Sequence, residues 1–247
     1  MEAMAVVNVA PISISVFFPC HNEEGAIEEL THKTLGVLEE ISNDYEIIIV
    51  DDGSTDATGE IADRFARENK HVKVVHHPHN RGYGGALQSG FRTAVKEWVF
   101  YTDGDGQFDI RELPGLISLT DSYDIITCYR VNRQDRWLRR LNGWAWNKLV
   151  GFVFGLKIRD IDCAFKLYRR EIFERIEMRS EGALIDTEIL ARAKQAGYNI
   201  TQRPVWHLPR QTGQQSGGNI LVILRAFREL FKLRKKINAT SKNKSSQ

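Results

Sequence analysis

Asp103-Gly104-Asp105-Gly106-Gln107 sets two carboxylates two residues apart, with a carboxamide at the same interval beyond. The glycines let the backbone turn and come close to a ligand. Two carboxylate oxygens and an amide oxygen suit Mg2+ or Mn2+, cations that take few protein ligands and complete their shells with substrate phosphates. The competing reading is a plain Asp-Gly turn. Asp51-Asp52-Gly53-Ser54 offers an acid that can accept from a base N–H or a ribose hydroxyl. It could equally cap the helix that follows, as could Asp56 or Thr58. Pro19-Cys20-His21-Asn22-Glu23-Glu24 leads into a helical pattern, with Asn22 as the candidate cap. Gly82-Tyr83-Gly84-Gly85 resembles a phosphate-binding glycine loop, a pattern of low specificity on its own.

These clusters need elements to hold them. Residues 12–18 read as a strand, as do the isoleucine-rich run 45–50 and segments 72–76 and 98–102. Helical spacing covers 23–41, 58–69 and 82–96. Four rounds of strand and helix predict a parallel sheet covered on both faces, with ligands at the carboxyl ends of the strands. All four polar clusters fall at such ends. After residue 102 the rhythm changes. Strands are predicted at 123–129, 165–168 and 199–205, the last ended by Pro204 at a sheet edge. Helices are predicted at 144–156 and 185–196.

The 247 residues are 42% hydrophobic, enough for a sizeable core, and carry a net charge of only +2, which gives no sign of a nucleic-acid partner. Cys20, Cys128 and Cys163 are far apart and match no zinc spacing, as expected for reduced thiols in a cytoplasmic setting. The N-terminus has no basic region of a signal peptide, and the apolar stretch 149–158 is far shorter than the roughly 20 residues of a membrane span.

In order along the chain, Pro19…Asn22-Glu23-Glu24, Asp51-Asp52-Gly53-Ser54-Thr55-Asp56, Asn80-Arg81-Gly82…Gly84-Gly85-Ala86 and Asp103-Gly104-Asp105-Gly106-Gln107 resemble family-two glycosyltransferases. Asp160-Ile161-Asp162-Cys163-Ala164-Phe165-Lys166-Leu167-Tyr168-Arg169, and Arg210-Gln211-Thr212-Gly213 with Gly217-Gly218-Asn219, resemble the polyprenyl-phosphate (dolichyl-phosphate) sugar synthases within that family. The likeness runs over about residues 12–219.

The resemblance implies a GT-A fold, a Rossmann-like, mostly parallel α/β sheet with helices on both faces, and an inverting transfer from a GDP- or UDP-sugar. It implies that Pro19, His21, Glu23, Asp52 and Asp103 hold the nucleotide, and that Asp103, Asp105 and Gln107 hold the metal and diphosphate. Arg130 matches an arginine that grips the acceptor phosphate, with Arg139 or Arg140 as a second and Arg210 kept in the C-terminal loop. Asp103, Asp105 and Arg130 are thus the residues expected to carry catalysis. His21 stands where a tyrosine is often found. Gln214-Gln215-Ser216 stands where eukaryotic synthases carry a lysine, which bears on how the diphosphate charge is balanced.

A phosphate monoester acceptor is already anionic near neutral pH, with a second pKa near about 6, and needs no general base. It needs arginines, whose planar forks bind phosphate bidentately; the run Arg130, Arg133, Arg136, Arg139, Arg140 offers them. A saccharide hydroxyl would instead need a carboxylate base, for which Asp162, Asp186 and Glu188 are available. A non-catalytic nucleotide binder would have less need of the metal triad. A dinucleotide oxidoreductase would want GxGxxG after the first strand, where Pro19-Cys20-His21-Asn22-Glu23-Glu24 stands instead.

Ile220, Ile223, Leu224, Phe227, Leu230 and Phe231 recur at helical spacing, with Arg225, Arg228, Lys232, Lys235 and Lys236 on much of the other face. That pattern predicts a basic amphipathic helix over 220–238 at the cytoplasmic face of a membrane, or packed on the domain, on a twin subunit or on a membrane protein. Trp137, Trp144, Trp146, Phe152 and Phe154 form a second aromatic patch. The expected organisation is a domain over 1–219, that helix, and a disordered tail over 239–247.

Overall fold

The computed structural model describes residues 12–131, 137–209 and 229–237, with the backbone alone for 137–142. One seven-stranded sheet runs through the chain: β1 (Ser13–Cys20), β2 (Asp44–Asp51), β3 (Val72–His76), β4 (Trp98–Thr102), β5 (Ile125–Val131), β6 (Phe165–Arg169) and β7 (Ile200–Trp206). Their order is β3-β2-β1-β4-β6-β5-β7. The helices α1 (Ile27–Ile41), α2 (Thr58–Glu68) and α3 (Tyr83–Thr93) connect β1 to β4 as predicted. β1, β2, β3 and β4 are parallel. Every residue of β4, and all of β2 after Asp44, is buried, as expected of strands covered on both faces.

The chain builds outward from β1 to β3, then returns to lay β4 on the other side of β1. That reversal opens a crevice at the carboxyl ends of β1 and β4. β6 enters antiparallel to both β4 and β5, pairing Phe165 with Thr102. Its approach segment, residues 160–164, is therefore delivered to the same edge as Asp103. Three short elements were not predicted: a 3-10 turn Ile110–Glu112, α4 (Leu113–Ile117) and α6 (Ile172–Arg175).

Other boundaries differ for physical reasons. α1 starts at Ile27 rather than Glu23, because Glu23 accepts from the backbone N–H groups of Ala26 and Ile27 and closes a turn. α5 (Trp137–Phe154) starts seven residues before the predicted Trp144, while α7 (Ile185–Gln195) matches its prediction. Pro204 lies inside β7 rather than ending it. β7 is the outermost strand, and a proline there costs no ladder bond on its open side.

Segment 229–237 is helical, but Leu230, Leu233 and Ile237 are buried in the main core. Over these residues the apolar face predicted for a membrane packs on the domain instead, leaving Phe231 exposed. The rest of the predicted helix, and the tail, lie outside the described residues.

Candidate active site

Backbone and side-chain hydrogen bonds sew the loops after β1, β2 and β4 together. Asp52 N–H donates to the Cys20 carbonyl at 2.8 Å, and Gly104 N–H to the Pro19 carbonyl at 3.3 Å. Asn22 adopts a left-handed conformation (φ 58°). Its Oδ1 accepts from Thr55 N–H at 2.8 Å, while its own N–H donates to Ser54 Oγ. Asn22 is therefore a clip between two loops, not the cap of α1. Glu23 N–H reaches Thr58 Oγ1 at 2.8 Å, and Glu24 accepts from Ala57 N–H at 2.9 Å. The N-cap position of α2 is Ala57, which has no side-chain cap bond, and Asp56 just before it accepts from Thr58 N–H at 3.0 Å.

Asp52 is buried, with Oδ1 held by His77 Nδ1 at 2.5 Å and by Arg81 N–H at 2.9 Å. His77 Nε2 in turn meets Ser89 Oγ at 2.8 Å. The acid expected to read the nucleoside is thus fixed by the loop before α3. His21 is exposed at the rim, its Nδ1 3.1 Å from the Asp52 carbonyl. Pro19, His21, Glu23 and Asp52 therefore do converge.

Gly82 and Gly84, at the start of α3, meet the second half of the chain. Gly84 N–H donates to the Glu181 carbonyl at 2.9 Å, and a Cβ there would lie 2.5 Å from the Glu181 carbonyl carbon. They let the second half of the sequence lie against the start of α3.

At the switch point, Gly104 passes so close to Cys20 that a Cβ would lie 2.5 Å from its sulfur. Asp103 is thereby pressed into the crevice. Its Oδ1 is inaccessible and has no hydrogen-bond partner. Burial, and then the charge of Asp105, push the Asp103 carboxyl up to about 7. A bare, crowded carboxylate oxygen beside a second carboxylate is what a divalent cation relieves, so the pair fits Mg2+ or Mn2+. Asp105 Oδ1 accepts from Gln107 N–H at 3.1 Å, which tightens the turn. Gln107 Nε2 donates to the Leu208 carbonyl at 3.0 Å, leaving the amide oxygen as the atom it can offer a metal. The same pairing brings His207, not singled out in the sequence, against Phe108.

The acceptor side is held by ion pairs. Arg130 binds Asp160 bidentately, Nε to Oδ2 at 2.7 Å and Nη2 to Oδ1 at 2.8 Å. Burial opposes its charge, but Asp160 outweighs burial and raises the guanidinium pKa. Arg130 reaches the edge as predicted, with part of its fork already committed. The side chains of Arg139 and Arg140, and all of Arg210, lie outside the described residues. Asp186 and Glu188 are not free carboxylates. Asp186 pairs with Lys166 at 2.8 Å. Glu188 accepts from Arg179 N–H, Ser180 N–H and Arg192. Asp162 is exposed to solvent yet closely surrounded by protein atoms. Burial, then repulsion from Asp186 and Asp160, raise it to about 6.

Residues 15–177 match the profile of glycosyl transferase family 2. The chain is 33% identical over 217 residues to "Glycosyltransferase AglD" of Haloferax volcanii, covering 81% of this chain and 34% of that protein. It is 32% identical over 177 residues to a dodecaprenyl-phosphate galacturonate synthase of Rhizobium johnstonii, covering 70% and 52%. An undecaprenyl-phosphate 4-deoxy-4-formamido-L-arabinose transferase of an Enterobacter species is 30% identical over 203 residues, covering 81% and 61%. The chain thus spans between a third and three fifths of the length of these curated relatives. Among solved structures, glucosyl-3-phosphoglycerate synthase from Mycobacterium tuberculosis with Mn2+, UDP and glucosyl-3-phosphoglycerate superposes with a TM-score of 0.64 at 18% identity, covering 93% of this chain and 78% of that one. The fold is that of the GT-A glycosyltransferases, and the chain belongs to glycosyl transferase family 2.

Proposed function

We propose that this chain transfers a sugar, with inversion, from a nucleotide-sugar donor to a polyprenyl phosphate. The observation that carries the donor half is the bare Asp103 Oδ1 beside Asp105 at the switch point. Asp103, Asp105 and Gln107 would hold Mg2+ or Mn2+, which neutralises charge on a departing diphosphate. Asp52, His21, Glu23 and Pro19 supply the wall for a nucleoside. Asp52 is fixed by His77 before any ligand arrives, so little ordering is left for binding. Guanine and uracil both fit one acceptor acid with backbone contacts.

The names of two relatives support a polyprenyl phosphate acceptor. So does the engagement of Asp186 and Glu188 in internal pairs, since a hydroxyl acceptor would need a free base. Arg130 would orient the acceptor phosphate with its remaining N–H groups. Transfer to a saccharide hydroxyl is the second reading, and Asp162 is the observation in its favour.

No helix among the described residues is long and apolar enough to cross a membrane. We assign contact with a cytoplasmic membrane face to α5, which exposes Trp144 and Phe152, rather than to 229–237. A second copy of the chain or a membrane protein is a further partner that fits these exposed aromatics.

The test is nucleoside diphosphate release from UDP- and GDP-sugars with Mn2+ or Mg2+, with and without a short polyprenyl phosphate. Metal-dependent release accelerated by the lipid phosphate is expected. Acceleration by a saccharide alone would move the acceptor to the second reading, and no release from any donor would leave a nucleotide binder.

A further inference from the structure

Arg130 commits its fork to Asp160, but a second arginine at the end of β5 keeps its fork open. Arg159 is exposed, and its guanidinium carbon lies 3.8 Å from the centroid of the Tyr129 ring. No carboxylate among the described residues pairs with that guanidinium. Arg64 and Arg169 also lie over aromatic rings, at 5.6 and 4.7 Å, yet each is paired with acid: Arg64 with Glu28, Arg169 with Glu97 and Asp124. For those two the ring adds to an ion pair. For Arg159 the ring is the seat, and the N–H groups remain available to an anion.

The backbone around Arg159 is fixed as well. The Gln202 side chain accepts from Arg159 N–H at 2.7 Å and donates to the Lys157 carbonyl at 2.8 Å. Asn147 accepts from Ile161 N–H at 3.0 Å. An arginine whose backbone is strapped and whose plane rests on a tyrosine meets a phosphate with little left to order.

Sheet register puts this seat on the face that carries Asp103. Tyr101, Lys166 and Thr127 stand opposite one another across β4, β6 and β5, and Lys166 Nζ reaches Tyr101 Oη at 2.8 Å on that face. Side chains alternate between faces along a strand. Two residues nearer the carboxyl ends, the same face therefore carries Asp103 just after β4 and Tyr129 in β5. Two strand spacings, about 10 Å, separate them. A span of that order accommodates a sugar ring between a metal-bound diphosphate and a second anion.

We propose that Arg159, seated on Tyr129, binds the acceptor phosphate across the sugar from the Asp103–Asp105 pair. The proposal rests on the polyprenyl phosphate reading above and supplies the open guanidinium that Arg130, gripped by Asp160, does not.

The measurement is the KM of the full chain for a short, water-soluble polyprenyl phosphate, taken without vesicles at saturating nucleotide sugar and Mn2+. Arg159→Gln should raise it about 10–100-fold, the loss of charge-assisted hydrogen bonds to a phosphate. The KM for the nucleotide sugar should stay within about twofold of wild type. The melting temperature should not move, because the side chain is exposed. Arg159→Lys keeps a point charge without the fork and should recover only part of the loss. Tyr129→Leu removes the seat and should raise the acceptor KM about 2–5-fold. A wild-type acceptor KM in Arg159→Gln would overturn the proposal and leave the lipid-phosphate reading standing, as would equal rises in donor and acceptor KM. Weaker sedimentation of Arg159→Gln with phosphatidylglycerol vesicles, beside an unchanged KM for the soluble acceptor, would overturn it in favour of a membrane headgroup. A wild type that the lipid phosphate does not accelerate would overturn both readings.

Discussion

The half of the sheet built by β1 to β4 and the half built by β5 to β7 hold their polar residues differently. In the first, loops are tied by short side chains to backbone N–H groups: Asn22 to Thr55, Ser54 to Asn22, Thr58 to Glu23, Asp52 to Arg81. Each bond is modest, about 1 kcal/mol, and only the one to Asp52 engages a charged group. In the second, charge meets charge: Arg130 with Asp160, Lys166 with Asp186, Arg192 with Glu188, all at least mostly buried. Such pairs are costly to break singly, because the surviving partner is left desolvated. The first half is a mould of fixed loops, and the second is a set of charges held in pairs.

The largest expected effect tests the mould at its charged point. Asp105→Ala should lower turnover on the order of 10²–10³-fold, the scale of a lost charge-stabilising group, and leave the melting temperature nearly unchanged. Donor hydrolysis and thermal shift on the same preparation check this. Unchanged turnover would remove the metal from the site. Asp160→Ala should do the reverse. It strands Arg130 and should destabilise the fold by about 3 kcal/mol, roughly 6–12 °C in melting temperature. Nucleotide affinity of the folded protein, read by calorimetry, should stay within about twofold of wild type, since Asp160 holds Arg130 on the acceptor side.

Asp162 sharpens the contrast, because it lies in the charge-paired half with its carboxyl raised rather than lowered. Folding then favours its protonated form. Stability is highest below the ordinary carboxylate range, near about 4, and falls as pH rises towards about 6. Asp162→Asn should therefore stabilise the protein at pH 7.5, by about 1 kcal/mol after allowing for its contact with solvent, or roughly 2–4 °C. The gain should vanish in melts at pH 4. A side chain whose loss stabilises is one that function retains, so activity should fall in the same variant. A variant no more stable than wild type at pH 7.5 would make Asp162 an ordinary surface acid.

The two halves were not equally legible in the sequence. Strand–helix alternation up to Thr102 follows from local periodicity, and the parallel sheet, the edge and the convergence of Pro19, His21, Glu23, Asp52 and Asp103 follow from topology rules. What periodicity could not carry was the direction of β6: the strand was predicted at 165–168, but nothing local says that it runs antiparallel into a parallel sheet and so brings residues 160–164 to the edge that carries Asp103. Asp186 and Glu188 looked available because their partners, Lys166 and the Arg179–Ser180 backbone, are chosen only by tertiary packing. One signal was present and went unused: a lysine in the middle of Phe165–Tyr168 has to find a buried anion. The Asn22 turn was misread because Asn suits both a helix cap and a left-handed turn.

The smallest expected effect lies at the far edge of the mould, where an ion pair does enter the first half. His76 Nδ1 is 2.9 Å from Asp51 Oδ2, and Nε2 is 2.9 Å from Asp63 Oδ1. The hydrogen bond with Asp63, opposed by burial and reinforced by Asp51, raises the imidazole pKa above its usual 6.5. A raised folded-state pKa stabilises fully below the unfolded value and loses that contribution as pH climbs through the folded one. The wild type should therefore lose a little stability from pH 6 upwards through the range just above 6.5. His76→Gln, which cannot ionise, should remove that slope. Nearly half the His76 side chain is exposed, so solvent screening limits the contribution to about 0.5 kcal/mol. Melting temperatures of both proteins at matched ionic strength across pH 5.5–8.5 would show it. Parallel curves would mean that His76 is held by geometry alone. A converging pair would mark it as a charge-held corner of the mould.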